Sequence, residues 1–279
     1  MLERMVSPKK NYETNPFPVE YSTDGKTFYA VEIEINSRCN RTCSYCPNSV
    51  GERIEQGEMA PEIYQRIMQQ LQDIQFKGRI SYEFFNEPML CSHFFEYVEM
   101  TKQYIPDCTI ELYTNGTLLT YDKFQKLVSF GIDHFVVTKH EGIDQYCFDH
   151  TWKKLSDQEK SLVKYQTHEE LKKSNRGGVV KAGPERSTVL LPCYIPEQIV
   201  TITVAGNVLP CFEDFYQNNM MGNVGEDTLI NIWNSEKYKK FRYELRKALR
   251  HMNTPCKTCN RVEVLPDLPE SMMKEFTVK

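Results

Sequence analysis

The chain has 279 residues and a net charge of −4, and its composition is 40% apolar and 26% charged. This length suits one large domain or two smaller ones, and the chain lacks the basic excess typical of nucleic-acid-binding surfaces. No apolar run approaches a membrane span, and the charged N-terminus lacks the apolar segment of a signal peptide. We therefore expect a cytoplasmic globular protein without a nucleic-acid or membrane partner.

The first predicted element is a strand that follows a polar arm. Residues 1–27 contain several prolines and predict an irregular N-terminal arm. The alternation of Val31, Ile33 and Ile35 with polar residues then predicts a strand over residues 28–35 with one buried face.

Three cysteines follow this strand at spacing C-x3-C-x2-C, namely Cys39, Cys43 and Cys46. In a reducing cytoplasm such a pattern indicates metal binding or catalysis rather than disulfides. Thiolate is the soft ligand that zinc and iron–sulfur clusters prefer, and three ligands leave one position open. The spacing alone leaves three interpretations: a cluster with one open iron, a zinc site completed by a distant residue, or reduced thiols.

Strand-like and helix-like segments alternate from residue 28 to about residue 170. This alternation predicts a parallel sheet whose ligands gather at the carboxyl ends of the strands. Five or six units are too few for an eight-fold barrel, so we expect a partial one. The predicted strands are 28–35, 79–85, 108–113, 134–138 and 161–166, and the predicted helices are 61–74, 92–104 and 121–130.

The pattern changes near residue 187. Residues 198–204 and 208–211 predict a β-hairpin, and residues 236–250 predict a helix whose basic outer face we expect to be solvated. Four thiolates close to these elements fit a closed site, and a C-x2-C pair is common among zinc ligands. The residues alone leave zinc and an iron–sulfur cluster open for this second set, which is Cys193, Cys211, Cys256 and Cys259.

Several segments resemble the radical S-adenosylmethionine (SAM) superfamily. The segment over residues 40–49 resembles its cluster motif, with Tyr45 at the usual aromatic position. The late hairpin and helix resemble the twitch domain, a shortened relative of the SPASM domain. Residues 174–178 and 206–215 resemble alcohol dehydrogenases of this superfamily, and the likeness extends from about residue 29 to about residue 262.

The resemblance implies an α/β fold in two parts. The first is a partial (β/α)6 TIM-like barrel over residues 28–186. The second is a small β-hairpin-plus-helix domain of the twitch type over residues 187–265. The arm over 1–27 and a tail over 266–279 lie outside both parts.

The resemblance also implies two 4Fe–4S clusters and SAM as cofactors, with an electron donor such as flavodoxin or ferredoxin. The first three cysteines would hold the cluster whose open iron binds SAM, and the four late cysteines would hold an auxiliary cluster. Tyr45 would lie near the adenine. The other residues implied for SAM are Asn86, Glu87, Pro88, Thr114, Asn115, Gly116 and Thr138.

In such dehydrogenases a secondary alcohol of a sugar or aminocyclitol is oxidised to a ketone, and the electron passes to the auxiliary cluster. Arg176 and Glu213 match the residues that would contact the alcohol during catalysis. Phe85 and Asn86 stand where the family has tyrosine and glycine, so we expect a different substrate preference. Asparagine is tolerable in place of glycine because it adopts left-handed conformations more easily than most residues. The residues implied for the substrate pocket are Phe85, Tyr113, Arg176, Phe212 and Glu213.

Three alternatives remain open. A radical SAM epimerase returns a hydrogen atom from a thiol, and Cys147, expected in a loop at the catalytic rim, is the candidate donor. A peptide-modifying enzyme is a second alternative, although the arm is short for a peptide-binding domain. The third is a non-catalytic zinc scaffold. We expect Cys91 and Cys108 to be buried core thiols.

Overall fold

The structure is a computed structural model that describes residues 28–142, 146–185 and 192–261. The expected N-terminal arm over 1–27 and the expected tail over 266–279 lie outside the described residues. Within the described part of the chain, no helix is both long and apolar enough to cross a membrane.

The described residues form an eight-stranded sheet in the order β5-β4-β3-β2-β1-β6-β7-β8. The six strands from β5 to β6 in this order are parallel, and β7 and β8 extend the sheet in antiparallel fashion. Six parallel strands confirm the predicted α/β class with a partial barrel. The strands are β1 (Ala30–Ile33), β2 (Arg79–Ser81), β3 (Thr109–Thr114), β4 (His134–Lys139), β5 (Val163–Thr167), β6 (Ile199–Ile202), β7 (Asn207–Leu209) and β8 (Gly222–Asn223).

The longer helices lie close to their predicted positions. Pro61 begins the first, and the Thr120 side chain caps the third by accepting from the backbone N–H of Lys123. Three short helices were not predicted, because four to eight residues give little periodicity. The helices are α1 (Pro61–Asp73), α2 (Phe94–Tyr104), α3 (Tyr121–Ser129), α4 (Cys147–Lys154), α5 (Asp157–Lys160), α6 (Leu229–Trp233) and α7 (Glu236–Arg246).

Strand β6 joins the main sheet beside β1. Its register pairs Ala30 with Ile199 and Ile33 with Ile202, in parallel. The predicted hairpin is confirmed, since β6 and β7 are antiparallel. All four residues of β6 are buried, as expected for a strand covered on both faces. The sheet therefore continues past the boundary that we expected after residue 186.

The two faces of the parallel strands differ in polarity. On β1, Val31 and Ile33 belong to the main apolar core, together with helix residues such as Leu71 and Leu127. Glu32 points to the opposite face, because successive side chains of a strand alternate. The apolar face holds the helices, and the polar face lines the inside of the barrel.

The interior carries a buried ion cluster centred on Arg79. Its guanidinium lies 3.5 Å from Glu32, 3.6 Å from Glu83 and 3.4 Å from Glu111. Burial, reinforced by the negative charge of Glu32, raises the pKa of Glu83 to about 8. Polar side chains thus replace the layers of branched apolar residues that fill a closed barrel.

We predicted that the basic side chains over residues 236–250 are exposed to solvent. This prediction is wrong for two arginines, Arg242 in α7 and Arg250 in the turn that follows it. Arg242 is 7% exposed, its Cζ lies 4.3 Å from the centroid of Trp233, and it donates to the Trp233 carbonyl. Arg250 is 6% exposed and donates to the carbonyls of Arg261 and Pro192. A guanidinium can be buried when aromatic faces and carbonyls replace water around it.

Candidate active site

The first three cysteines lie in a tight loop after β1. The Cys46 N–H donates to the Cys43 carbonyl at 2.9 Å, and the Asn48 side chain donates to the Phe85 carbonyl at 2.6 Å. Burial raises the pKa of the Cys39 thiol to about 11 and also raises that of Cys46. These thiols need a bound cation to hold them as thiolates, as the metal of a cluster does.

Glu87 ties the loop after β2 to the end of β3. The residue is 1% exposed, and its carboxylate accepts from Thr114 Oγ1 at 2.8 Å, from the Asn115 N–H at 2.8 Å and from the Met89 N–H at 3.2 Å. Burial raises its pKa to about 7. With its oxygens used in this way, Glu87 orients the strand ends, and the adjacent Pro88 begins a short 3₁₀ turn.

Asn86, which replaces the family's glycine, does not have a left-handed backbone. The non-glycine residues with positive φ in the described chain are Gln75, Arg176, Gln217 and Ala248. Instead, the Asn86 side chain accepts from the Phe84 N–H at 2.9 Å. Asn86 is therefore accommodated through its side-chain hydrogen bond, which glycine could not make.

Asn115 connects the end of β3 to the cysteine loop. Its Nδ2 donates to Asn40 Oδ1 at 2.7 Å and lies 3.9 Å from Cys39 Sγ. Its Oδ1 accepts from the N–H of Thr117 at 3.0 Å. Asn115 therefore lies beside the first cysteine set, and its role in binding SAM stays a prediction.

Tyr146 holds the ends of β3 and β4 together, a role that the sequence did not reveal. Its hydroxyl donates to the carbonyls of Asn115 and Thr138, the latter at 3.1 Å. Gly116 has φ +69°, and a Cβ there would lie 2.4 Å from the Tyr146 hydroxyl. The Thr138 hydroxyl accepts from Gln166 at 3.1 Å. Position 116 therefore requires glycine, both because its φ is positive and because a Cβ there would collide with the Tyr146 hydroxyl.

Tyr45 lies beside the loop after β4. Its hydroxyl is 2.5 Å from His140 Nδ1, its ring stacks on that of His168, and the Lys173 ammonium lies 4.7 Å from its centroid. Burial, followed by the charge of Arg41, lowers the pKa of His140 to about 4. His140 is therefore a neutral partner of Tyr45 near pH 7, and it was not predicted.

Phe85 and Arg176 come together from distant parts of the chain. Phe85 is 6% exposed and contacts Phe215 edge to face, with ring centroids 5.2 Å apart. The Arg176 Cζ lies 5.6 Å from the Phe85 centroid. Arg176 has φ +49° and begins a short 3₁₀ turn that continues through Gly177.

Glu213 is the centre of a buried ionic group. It is 2% exposed, and it accepts from Ser174 Oγ at 2.8 Å, from Arg176 Nη1 at 3.4 Å and from Arg261 Nε at 3.2 Å. Arg176 and Glu213, predicted separately, are therefore in contact. Ser174 and Arg261 were not predicted, although Arg261 stands two residues after the final cysteine.

The two remaining residues predicted for the substrate pocket, Tyr113 and Phe212, contact different parts of the sheet. The Tyr113 hydroxyl donates to Glu111 at 3.0 Å and so belongs to the interior ion cluster. The Phe212 ring packs against Tyr29, Ala30 and Ile199.

Cys147 lies in a helix rather than in the loop that we expected. It is the first residue of α4, is partly buried, and follows the loop after β4. Residues 143–145 of that loop are outside the described residues. A role for Cys147 as a hydrogen donor stays a prediction.

The four late cysteines line one cavity beside α7. Phe241 and Leu245 from that helix also line it, together with charged side chains that include Glu213 and Arg261. Among the residues that the structure describes, no group of three or more His, Cys, Asp or Glu side chains is arranged to hold a single metal ion. Four thiols around one cavity supply the four ligands that a fully ligated 4Fe–4S cluster needs.

Replacement of Gly177 by alanine is expected to weaken the auxiliary site. Gly177 has φ +66°, and a Cβ there would lie 2.4 Å from the Pro255 Cβ, so both backbone and packing are strained. Gly57→Ala is the matched control, because Gly57 has φ +125° but no atom within 4 Å of its Cβ. We expect G177A to lower the melting temperature and the iron content more than G57A; equal effects would contradict this packing argument.

Comparison with known proteins assigns the class. The Radical SAM superfamily model matches residues 33–159, and the SPASM iron–sulfur cluster-binding domain model matches residues 193–260. Together with the two cysteine sets, these matches define a radical SAM enzyme that uses SAM and iron–sulfur clusters. The chain belongs to the family of the S-adenosyl-L-methionine-dependent 2-deoxy-scyllo-inosamine dehydrogenase of Niallia circulans, to which it is 44% identical over 86% of its length and 95% of the relative.

Solved structures give the same result. The crystal structure of BtrN in complex with AdoMet and 2-DOIA matches with a TM-score of 0.83 and 42% identity, covering 87% of this chain and 96% of that one. A structure of BtrN in an open conformation matches with a TM-score of 0.69 and 39% identity, covering 85% and 94%. The protein thus resembles the ligand-bound form more closely than the open one.

Proposed function

We propose that this enzyme oxidises a secondary alcohol of an aminocyclitol to a ketone. The observation that supports the proposal most strongly is the contact between Arg176 and Glu213. Arg176 lies beside the Phe85 ring, and Glu213 stands two positions after Cys211 in the sequence. The relative is named for dehydrogenation of 2-deoxy-scyllo-inosamine, and this contact supplies a hydrogen-bond donor and an acceptor for such a hydroxyl.

The site residues divide the reaction between them. SAM bound at the first cluster supplies a 5′-deoxyadenosyl radical, which removes a hydrogen atom from the carbon that bears the hydroxyl. Arg176 donates to the hydroxyl oxygen and Glu213 accepts from its hydrogen, which favours loss of the proton. Cys193, Cys211, Cys256 and Cys259 would hold an auxiliary cluster that would accept the electron that must also leave, and Cys211 Sγ accepts from the Glu213 N–H at 3.4 Å. Loss of the hydrogen atom, the proton and the electron converts the alcohol into a ketone.

An electron donor and a compartment follow from this chemistry. We propose a flavodoxin or ferredoxin as donor, because SAM cleavage needs single electrons of low potential. We propose a cytoplasmic location because all ten cysteines are free in the structure and two sets must stay reduced to bind iron.

Anaerobic turnover with SAM, a reductant and a panel of aminocyclitols, analysed by mass spectrometry, tests the proposal. We expect a product lighter than the substrate by two hydrogen atoms, formed together with 5′-deoxyadenosine. A product of unchanged mass that carries one solvent deuterium would instead indicate epimerisation. In that case, retained activity of Cys147→Ala would exclude the Cys147 thiol as the donor.

Phe85 is expected to set the substrate preference. Phe85→Tyr adds a hydroxyl to a buried ring between Phe215 and Arg176, and an unpaired buried hydroxyl costs about 1–3 kcal/mol. We expect kcat/KM for the preferred substrate to fall by about tenfold or more, with a smaller loss or a gain for substrates that offer a partner. Phe84→Tyr is the control, since Phe84 is the neighbouring, less buried ring. A uniform change across the panel would contradict a role in specificity.

A further inference from the structure

Two cluster cysteines share the same local arrangement. The Glu213 N–H donates to Cys211 Sγ at 3.4 Å, and the Arg261 N–H donates to Cys259 Sγ at 3.5 Å. In each case the donor stands two residues after the cysteine. Hydrogen bonds to the sulfur ligands are among the factors that set the potential of an iron–sulfur cluster.

The side chains of these two donors bind each other. Arg261 Nε donates to Glu213 Oε1 at 3.2 Å, and the side chains are 20% and 2% exposed. The Arg261 Cζ lies 4.8 Å from the Phe212 centroid, so the guanidinium is also packed against a ring. The pair therefore connects the Cys211 loop to the Cys259 loop, which are far apart in the sequence.

This connection has an electrostatic consequence for the cluster. Reduction adds a negative charge, which a nearby guanidinium and two N–H groups directed at sulfur stabilise. Arg261 contributes one of those N–H groups directly, and its ion pair fixes the backbone that supplies the other.

We propose that Arg261 is a positioning residue that raises the reduction potential of the auxiliary cluster. It acts by bridging the two cysteine loops through Glu213 and by placing a positive charge beside the cluster. The proposal depends on the auxiliary cluster and not on which alcohol is oxidised, so it can fail or hold independently of the proposed substrate.

A redox titration of the anaerobic holoenzyme, followed by electron paramagnetic resonance, tests the proposal. Addition of SAM identifies the signal of the first cluster, because SAM binds only there. We expect Arg261→Gln to shift the auxiliary cluster to a more negative potential by about 59 mV or more, which is tenfold in the equilibrium constant of a one-electron couple. The first cluster should keep its potential.

Lys257→Gln is the matched control. Lys257 lies between Cys256 and Cys259, is exposed, and carries the same charge as Arg261. We expect its replacement to leave the potential close to that of the wild type, because solvent screens an exposed charge. The proposal is overturned if R261Q leaves the potential unchanged or if K257Q shifts it equally.

Two further variants test the proposal if Arg261→Gln does not bind the auxiliary cluster. Arg261→Met keeps the packing over Phe212 while removing the charge and the donor, so it replaces R261Q if that variant loses iron, with the same expected shift. Arg261→Lys keeps the charge but not the Nε–H bond to Glu213, and we expect a smaller shift in the same direction. If neither neutral variant loads the cluster, an unchanged potential in R261K overturns the proposal.

Discussion

Cys46→Ala is expected to abolish reductive cleavage of SAM. The loop bonds around this residue are made by backbone atoms, including the Cys46 N–H bond to the Cys43 carbonyl, so alanine leaves the local fold intact. What is lost is one of only three thiolates that can hold the first cluster. We expect iron to fall from about eight atoms per chain to about four, with the auxiliary cluster retained.

Cys108→Ala is the control for this prediction. Cys108 is also a free thiol, but it is 3% exposed in the apolar core and belongs to neither cysteine set. We expect this variant to keep its iron and its SAM cleavage, at a modest cost in stability. The measurements are iron and sulfide analysis and the yield of 5′-deoxyadenosine after reduction. Full cleavage by C46A would contradict the assignment of the first site.

Glu213→Gln is expected to lower kcat/KM by on the order of 10²-fold or more. The carboxylate is the acceptor for Ser174 and for two guanidiniums, those of Arg176 and Arg261. An amide removes the negative charge, so two partly buried guanidiniums lose the carboxylate that they pair with, which lowers the stability of the fold. The same change replaces the carboxylate proposed to accept from the substrate hydroxyl with a neutral amide, which is a weaker acceptor and does not favour loss of the proton.

Glu197→Gln is the control that separates the loss of an ion-pair partner from the loss of the group proposed to contact the substrate. Glu197 is also a carboxylate between two arginines, at 3.6 Å from Arg242 and 3.3 Å from Arg246, but it is partly buried and the arginines lie on the outer helix α7. We expect both variants to melt at lower temperature than the wild type, and only E213Q to lose turnover per loaded auxiliary cluster. Equal losses of turnover would mean that Glu213 has only a structural role.

The sequence was sufficient where the information was local. The spacing of Cys39, Cys43 and Cys46 after an alternating strand predicted the first site, because neighbours in sequence must be neighbours in space. Hydrophobic periodicity located α1, α2, α3 and α7 within a few residues, apart from the early end of α7. Strand-end positions put Asn115 directly after β3 and Thr138 near the end of β4, since parallel strands bring their carboxyl ends to one edge, and their role in SAM binding stays a prediction.

The sequence was insufficient where the contact joins distant segments. The Glu213–Arg261 pair spans two loops, and the role of Tyr146 depends on carbonyls that carry no sequence signal. The place of β6 beside β1 follows from pairing across the whole chain rather than from its own residues. We expected Arg242 to be exposed because charged side chains usually are, whereas the Trp233 ring covers its guanidinium.

A single-turnover experiment tests the central claim most directly. The substrate is an aminocyclitol deuterated at the carbon that bears the reacting hydroxyl, incubated anaerobically with the reduced enzyme and SAM. The account predicts one deuterium in 5′-deoxyadenosine, a ketone in matching amount, and one additional electron on the auxiliary cluster, seen by electron paramagnetic resonance. Recovery of an alcohol that has exchanged its deuterium for solvent hydrogen, without a ketone and without reduction of the auxiliary cluster, would contradict it.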